Sequence, residues 1–221
     1  MNPRDGCKFV AQNASHVKIE NSKVSEIAKF ILSELTSDWT DLETFCRKNW
    51  THHLRSKSLD EDAVSFIFLC DAWNYCFWAD PWLDDFGIEF EGVKYSRSWG
   101  MVAVIARAVK EGKIPILNPE WQARATLDEI RYIFREDPKN GPVPLLEERW
   151  ASINELGRFT MSQCNGSLIN LLRESKGSAK ILMEKIASMK MWNDETIFQG
   201  QKLKVFKRIQ VNRVSKLSNS F

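Results

Sequence analysis

The stretch Ser58–Trp82, SLDEDAVSFIFLCDAWNYCFWADPW, constrains this chain more than any other. Behind its acidic start it is apolar at almost every position, interrupted by Ser65, Asp71 and Asn74 before Trp78. A helix that is apolar all round cannot lie on a surface, so the pattern predicts a central helix covered by neighbours on every side. Ser58 with Glu61 three residues later has the spacing of a capping box that would start it. Asp71 and Asn74, also three apart, are expected on one helical face. A carboxylate or amide carried into a core costs about 2 to 7 kcal/mol unless it is hydrogen-bonded. Either the protein supplies those partners, with Asp71 capping a helix and Asn74 bonding backbone, or a ligand does.

The flanking segments supply the cover. Pro3 predicts the first position of a helix running to about Ala14. Val24, Ile27, Ala28, Ile31, Leu32 and Leu35 form a core-facing stripe on a helix from Ser22 to Leu35. Thr40 with Glu43 opens a helix ending near His52 and His53. FGIEFEGVKYS alternates around Glu91-Gly92 as a hairpin. Helices are predicted over Trp99–Lys110, stopped by Gly112, then from Asn118-Pro119 and from the Thr126/Glu129 capping box. After the DPKNGPVP loop come a long helix from Leu145 to Cys164 and two short ones separated by Gly177. The expected fold class is mostly α, one compact helical domain with one small β-hairpin.

Composition excludes several classes. With 43% hydrophobic and 27% charged residues the chain is neither disordered nor membrane-embedded. MNPRDGCKF has no apolar signal region, and five scattered cysteines without a CxxC pair suit a reducing, cytoplasmic setting. With three histidines and no ligand spacing, neither a metal nor another cofactor is expected. Residues 1–195 carry 25 basic and 29 acidic groups, a net of −4, while the six Lys or Arg from Thr196 onward face no acid. The body is therefore not a nucleic-acid surface by charge. Nine Trp and thirteen Phe read first as core volume rather than base-stacking platforms. Walker loops, GxSxG, HExxH and dinucleotide fingerprints are absent from the sequence.

A collinear series of blocks carries a resemblance: NPR with KFVAQNA, DAWNYCFW, GVKYS followed by SW, GKIPI, TLDEIRYIFR, PLLEERW, NGSLINLLRESKGSA and FKRIQ. Over about residues 2–210 the chain resembles the queuosine salvage proteins, the queuosine 5'-phosphate N-glycosylases. The resemblance implies a helical fold related to DNA glycosylases, and hydrolysis of the bond joining ribose 5-phosphate to queuine, a 7-deazaguanine. It implies a small-molecule nucleotide substrate, with no direct binding of tRNA and no membrane partner.

Such a bond breaks through an oxocarbenium-like transition state, which needs a carboxylate at the anomeric carbon and a held, protonated leaving base. By resemblance His52, Asp71 and Asn74 are the candidates for holding queuine. Lys207, Arg208 and Arg173 are the candidates for the 5'-phosphate. The expected catalytic Asp is replaced by Ser215, so residues 1–210 read as an incomplete glycosylase domain and 211–221 as a divergent basic tail. The expectations are little or no glycosylase activity and central-helix surface left wet, with Asp71 and Asn74 facing an open cleft. A non-catalytic ligand-binding remnant and a helical nucleic-acid-binding protein of glycosylase type are the alternative readings.

Overall fold

The computed structural model describes residues 3–35, 60–78, 85–135 and 140–206. The predicted helix after Thr40, with His52 and His53, lies outside them, as do Ser58, Lys207, Arg208 and Ser215. The chain divides into two compact units, one of residues 1–57 and 195–205, the other of residues 58–194 and 206–221. Helices dominate the described residues, and two separate antiparallel strand pairs accompany them.

In the first unit, helix α1 (Pro3–Asn13) packs against a hairpin of β3 (Glu195–Phe198) and β4 (Gln201–Lys204). Phe9 meets Phe198 edge-on at 6.0 Å, and Gln199 Nε2 donates to the Asn13 carbonyl at 3.2 Å. Gln199 (φ 47°) and Gly200 (φ 74°) form the left-handed two-residue turn that a hairpin favours. Sequence reading missed this hairpin because its face is nearly all polar and only Leu203 is buried. Helix α2 (Asn21–Leu35) forms where predicted, but most of its apolar stripe is exposed rather than buried. Val24, Ile27, Phe30, Ile31 and Leu32 are 49–64% exposed. Apolar periodicity fixes the helical state without fixing what covers it.

The second unit is built around α3 (Glu61–Trp73). Val64, Phe66, Phe68, Leu69, Ala72 and Trp73 are at most 2% exposed, so the described central helix is covered and the expected wet surface is absent from it. Its start also differs from the predicted capping box. Asp60 is the N-cap, its Oδ1 accepting from Ala63 N–H at 2.9 Å. Glu61 instead reaches across the fold, accepting from the Ser167 hydroxyl and, at 3.2 Å, from Leu168 N–H. It thereby satisfies orphan donors of α8 (Leu168–Ser175).

The hairpin β1 (Gly87–Phe90) and β2 (Val93–Ser96) turns at Glu91 (φ 54°) and Gly92 (φ 77°), as read from the sequence. It leads into α4 (Arg97–Glu111), closed by left-handed Gly112. Asn118 caps α5 (Pro119–Arg124), and Thr126 and Glu129 form the complete capping box of α6 (Leu127–Ile133). Helix α7 (Leu146–Gln163) crosses α5 at Gly157, where an added Cβ would stand 2.2 Å from the Ala123 nitrogen. Asn154 and Trp150 donate to the carbonyls of Gln122 and Ala125, completing that junction. On the other side, α3, α7, α8 and α9 (Ala179–Ile186) contribute to a core that includes the fully buried Trp192. Among the described residues no helix is long and apolar enough to cross a membrane.

Candidate functional site at the end of the central helix

Helix α3 stops at Trp73, and the chain leaves it without regular structure. Asn74 is the C-cap, φ −79° and ψ 68°, its N–H directed at the Asp71 carbonyl at 3.4 Å. It lies one residue past the helix, not on a helical face with Asp71 as predicted, and is half-buried. Cys76 sits at φ 45°, in the left-handed region, which a residue with a Cβ occupies only when its surroundings hold it.

Arg149 of α7 provides that hold. Its side chain is fully buried, and it donates through Nη1 to the Trp73 carbonyl at 2.6 Å. Nη2 reaches the carbonyls of Tyr75 at 2.7 Å and Cys76 at 2.9 Å, and Nε that of Pro144 at 3.0 Å. The Trp73 indole answers with a 2.9 Å bond to the Arg149 carbonyl. The guanidinium also lies 4.6 Å and 4.9 Å from the ring centroids of Tyr75 and Phe77. A positive charge at a helix C-terminus meets the negative end of the dipole, which favours this placement.

Asp71, in the last turn of α3, is 8% exposed and engaged by its neighbours. Burial, and then the charge of Asp71, push the Cys70 thiol well above its ordinary range. Beside the segment opens a cleft of about 370 Å³ lined by Tyr75, Glu148, Ser152, Arg158, Lys190 and Asp194, with Ala151, Glu155 and Met191. Both Glu155 oxygens are committed to the wall, accepting from Lys190 N–H at 2.6 Å and Met191 N–H at 3.0 Å. The cleft thus presents an aromatic face, a hydroxyl and charges of both signs, which suits an amphoteric polar ligand.

Of the sequence candidates, the structure brings Asp71 and Asn74 to one end of α3, but neither lines that cleft. Asp71 is buried, Asn74 is the half-buried cap of α3, and Tyr75 is the residue of this segment that contributes to the lining of the cleft. Arg173 is exposed in the last turn of α8, outside the lining of the cleft. His52, Lys207, Arg208 and Ser215 lie outside the described residues. Sequence reasoning missed Arg149. Its signal was positional, since Arg149, Ser152, Ile153, Leu156, Gly157 and Thr160 follow helical spacing and are all buried.

A family model described as Queuosine salvage protein matches residues 52–221. The chain is 33% identical over 214 residues to a Bos taurus protein named queuosine 5'-phosphate N-glycosylase/hydrolase. It is 31% identical over 216 residues to the Mus musculus protein of that name, and 26% identical over 213 residues to that of the bacterium Sphaerobacter thermophilus. Each alignment takes in 96% of this chain and 61% of the relative. The chain therefore spans about 61% of the length of the curated relatives it matches.

Proposed function

Because the chain belongs to the queuosine salvage protein family, we propose that it recognises queuosine 5'-phosphate and serves hydrolysis of its N-glycosidic bond, releasing queuine. The observation that carries this reading is the end of α3, where a buried carboxylate, Asp71, precedes a half-buried amide, Asn74. A deazaguanine edge offers N–H donors beside a carbonyl, and a carboxylate with an amide is the complementary pair. His52 completes the base site in this proposal, while Lys207, Arg208 and Arg173 are assigned the 5'-phosphate. The partner proposed is the small nucleotide itself rather than tRNA, in a cytoplasmic setting where Cys7, Cys70, Cys76 and Cys164 remain thiols.

The chemistry needs negative charge against the anomeric carbon as the ribosyl group becomes an oxocarbenium. Ser215 stands where the resemblance places that carboxylate, and a hydroxyl supplies no such charge. Turnover by this sequence is accordingly expected at least about 100-fold below that of the bovine relative, the scale on which loss of an electrostatic stabiliser acts. The test is incubation with queuosine 5'-phosphate, following queuine by mass spectrometry, beside titration with queuine and with adenine. Binding of queuine in preference to adenine is expected; equal or absent binding of both would overturn the substrate reading. Turnover matching the bovine protein would overturn the role assigned to the Ser215 position.

A further inference from the structure

We propose that Arg149 is the positioning residue of the base site, acting through the segment Asn74–Phe77 rather than by touching ligand. The proposal rests on the substrate reading above and goes further by naming what holds the site in shape. Three observations carry it. The segment lies outside helix and strand, and it includes a left-handed Cys76. One fully buried guanidinium bonds the carbonyl of Trp73, just before the segment, and those of Tyr75 and Cys76 within it, and rings of the same segment stack over it. The carbonyls so fixed flank Asn74, and Tyr75 among them contributes to the lining of the cleft.

Burying a cation is an expensive way to tie down a loop, because the charge must be fully solvated by protein dipoles. A neutral donor would suffice for stability alone. The planar fork of Arg can reach several carbonyls at once and fix their mutual angles, which a Lys point charge cannot reproduce. Binding sites need their supporting shell held to within a fraction of an ångström, and this fork supplies that restraint.

The test compares the wild-type 221-residue chain with Arg149→Lys and Trp73→Phe. Arg149→Lys keeps the charge and removes the fork, whereas Trp73→Phe keeps the fork and removes the indole bond that seats it. Queuine affinity is expected to fall roughly tenfold or more in Arg149→Lys and by about threefold in Trp73→Phe, the range in which supporting contacts act. Hydrogen exchange of amides 74–78 should accelerate in both variants while amides 168–172 of α8 keep their protection. Saturating queuine should restore protection at 74–78, which a residue of purely structural role would not show. Should Arg149→Lys fail to fold, Trp73→Phe decides the matter by the same two readouts. Wild-type affinity in a folded Arg149→Lys, or loss of protection spread evenly over both segments, would overturn this inference alone. Absence of queuine binding by the wild-type chain would overturn the substrate reading, and with it the assignment of Arg149 to a base site.

Discussion

Trp73 and Arg149 bond each other reciprocally across 76 residues of sequence: the indole donates to the Arg149 carbonyl at 2.9 Å, and the guanidinium donates to the Trp73 carbonyl at 2.6 Å. Each side chain thereby satisfies the other residue's backbone, tying the C-terminal end of α3 to the first turn of α7.

Replacing Arg149 by Met leaves the carbonyls of Trp73, Tyr75, Cys76 and Pro144 without this donor. A buried acceptor left unsatisfied costs about 1–3 kcal/mol, so a loss of at least about 3 kcal/mol is expected. Trp73→Phe removes one bond and should cost about 1–2 kcal/mol. Urea unfolding followed by circular dichroism gives both values. A loss below about 1 kcal/mol for Arg149→Met would show the four bonds to be energetically idle.

Gly157→Ala places a methyl 2.2 Å from the Ala123 nitrogen and 2.7 Å from the Gln122 carbonyl carbon. Both are backbone atoms, so α5 and α7 must part. A loss of about 3 kcal/mol is expected, at the upper end of overpacking costs. A thermal midpoint equal to wild type would contradict the close approach of the two helices.

Burial pulls the Glu129 carboxyl up, but the Thr126 N–H, the Trp121 indole and the Thr126 hydroxyl outweigh it and hold it below its ordinary 4.5. A depressed folded-state pKa contributes stability that is full above the unfolded value and lost as pH falls through the folded one. Glu129→Gln should therefore flatten part of the stability profile below about pH 4.5. Thr126→Ala should cost about 1 kcal/mol at neutral pH. Urea midpoints between pH 3 and 7, taken as roughly the window set by ordinary carboxylates, would show parallel curves if the box were idle.

The thiols should react in a fixed order. Cys7 is exposed; burial raises Cys70 well above its ordinary range, and burial followed by the charge of Glu174 pushes Cys164 up to about 12. Since thiolate is the reactive form, a disulfide reagent near neutral pH should modify Cys7 rapidly and reach Cys70 and Cys164 only on unfolding. Peptide mapping after timed quenching reads the order, and early labelling of Cys164 would contradict its burial.

What the sequence by itself determined lies within a few residues along the chain. Asn118 and Pro119 start α5, Thr126 and Glu129 start α6, Gly112 ends α4 and Glu91-Gly92 turns the first hairpin, because each of these acts on backbone groups one turn away. The burial of α3 was legible too, since an all-round apolar helix has no face to give to water. Its polar pair was visible, but not that Asn74 would fall past the helix end as its cap. Only the tertiary structure decided that Asp60 caps the described start of α3 and that Glu61 serves α8. It alone showed the α2 stripe exposed and Arg149 buried. A side chain's charge or apolarity sets its cost in a given environment, whereas the carbonyls that make a buried guanidinium tolerable come from residues 73–76 positions away, and their arrival depends on packing.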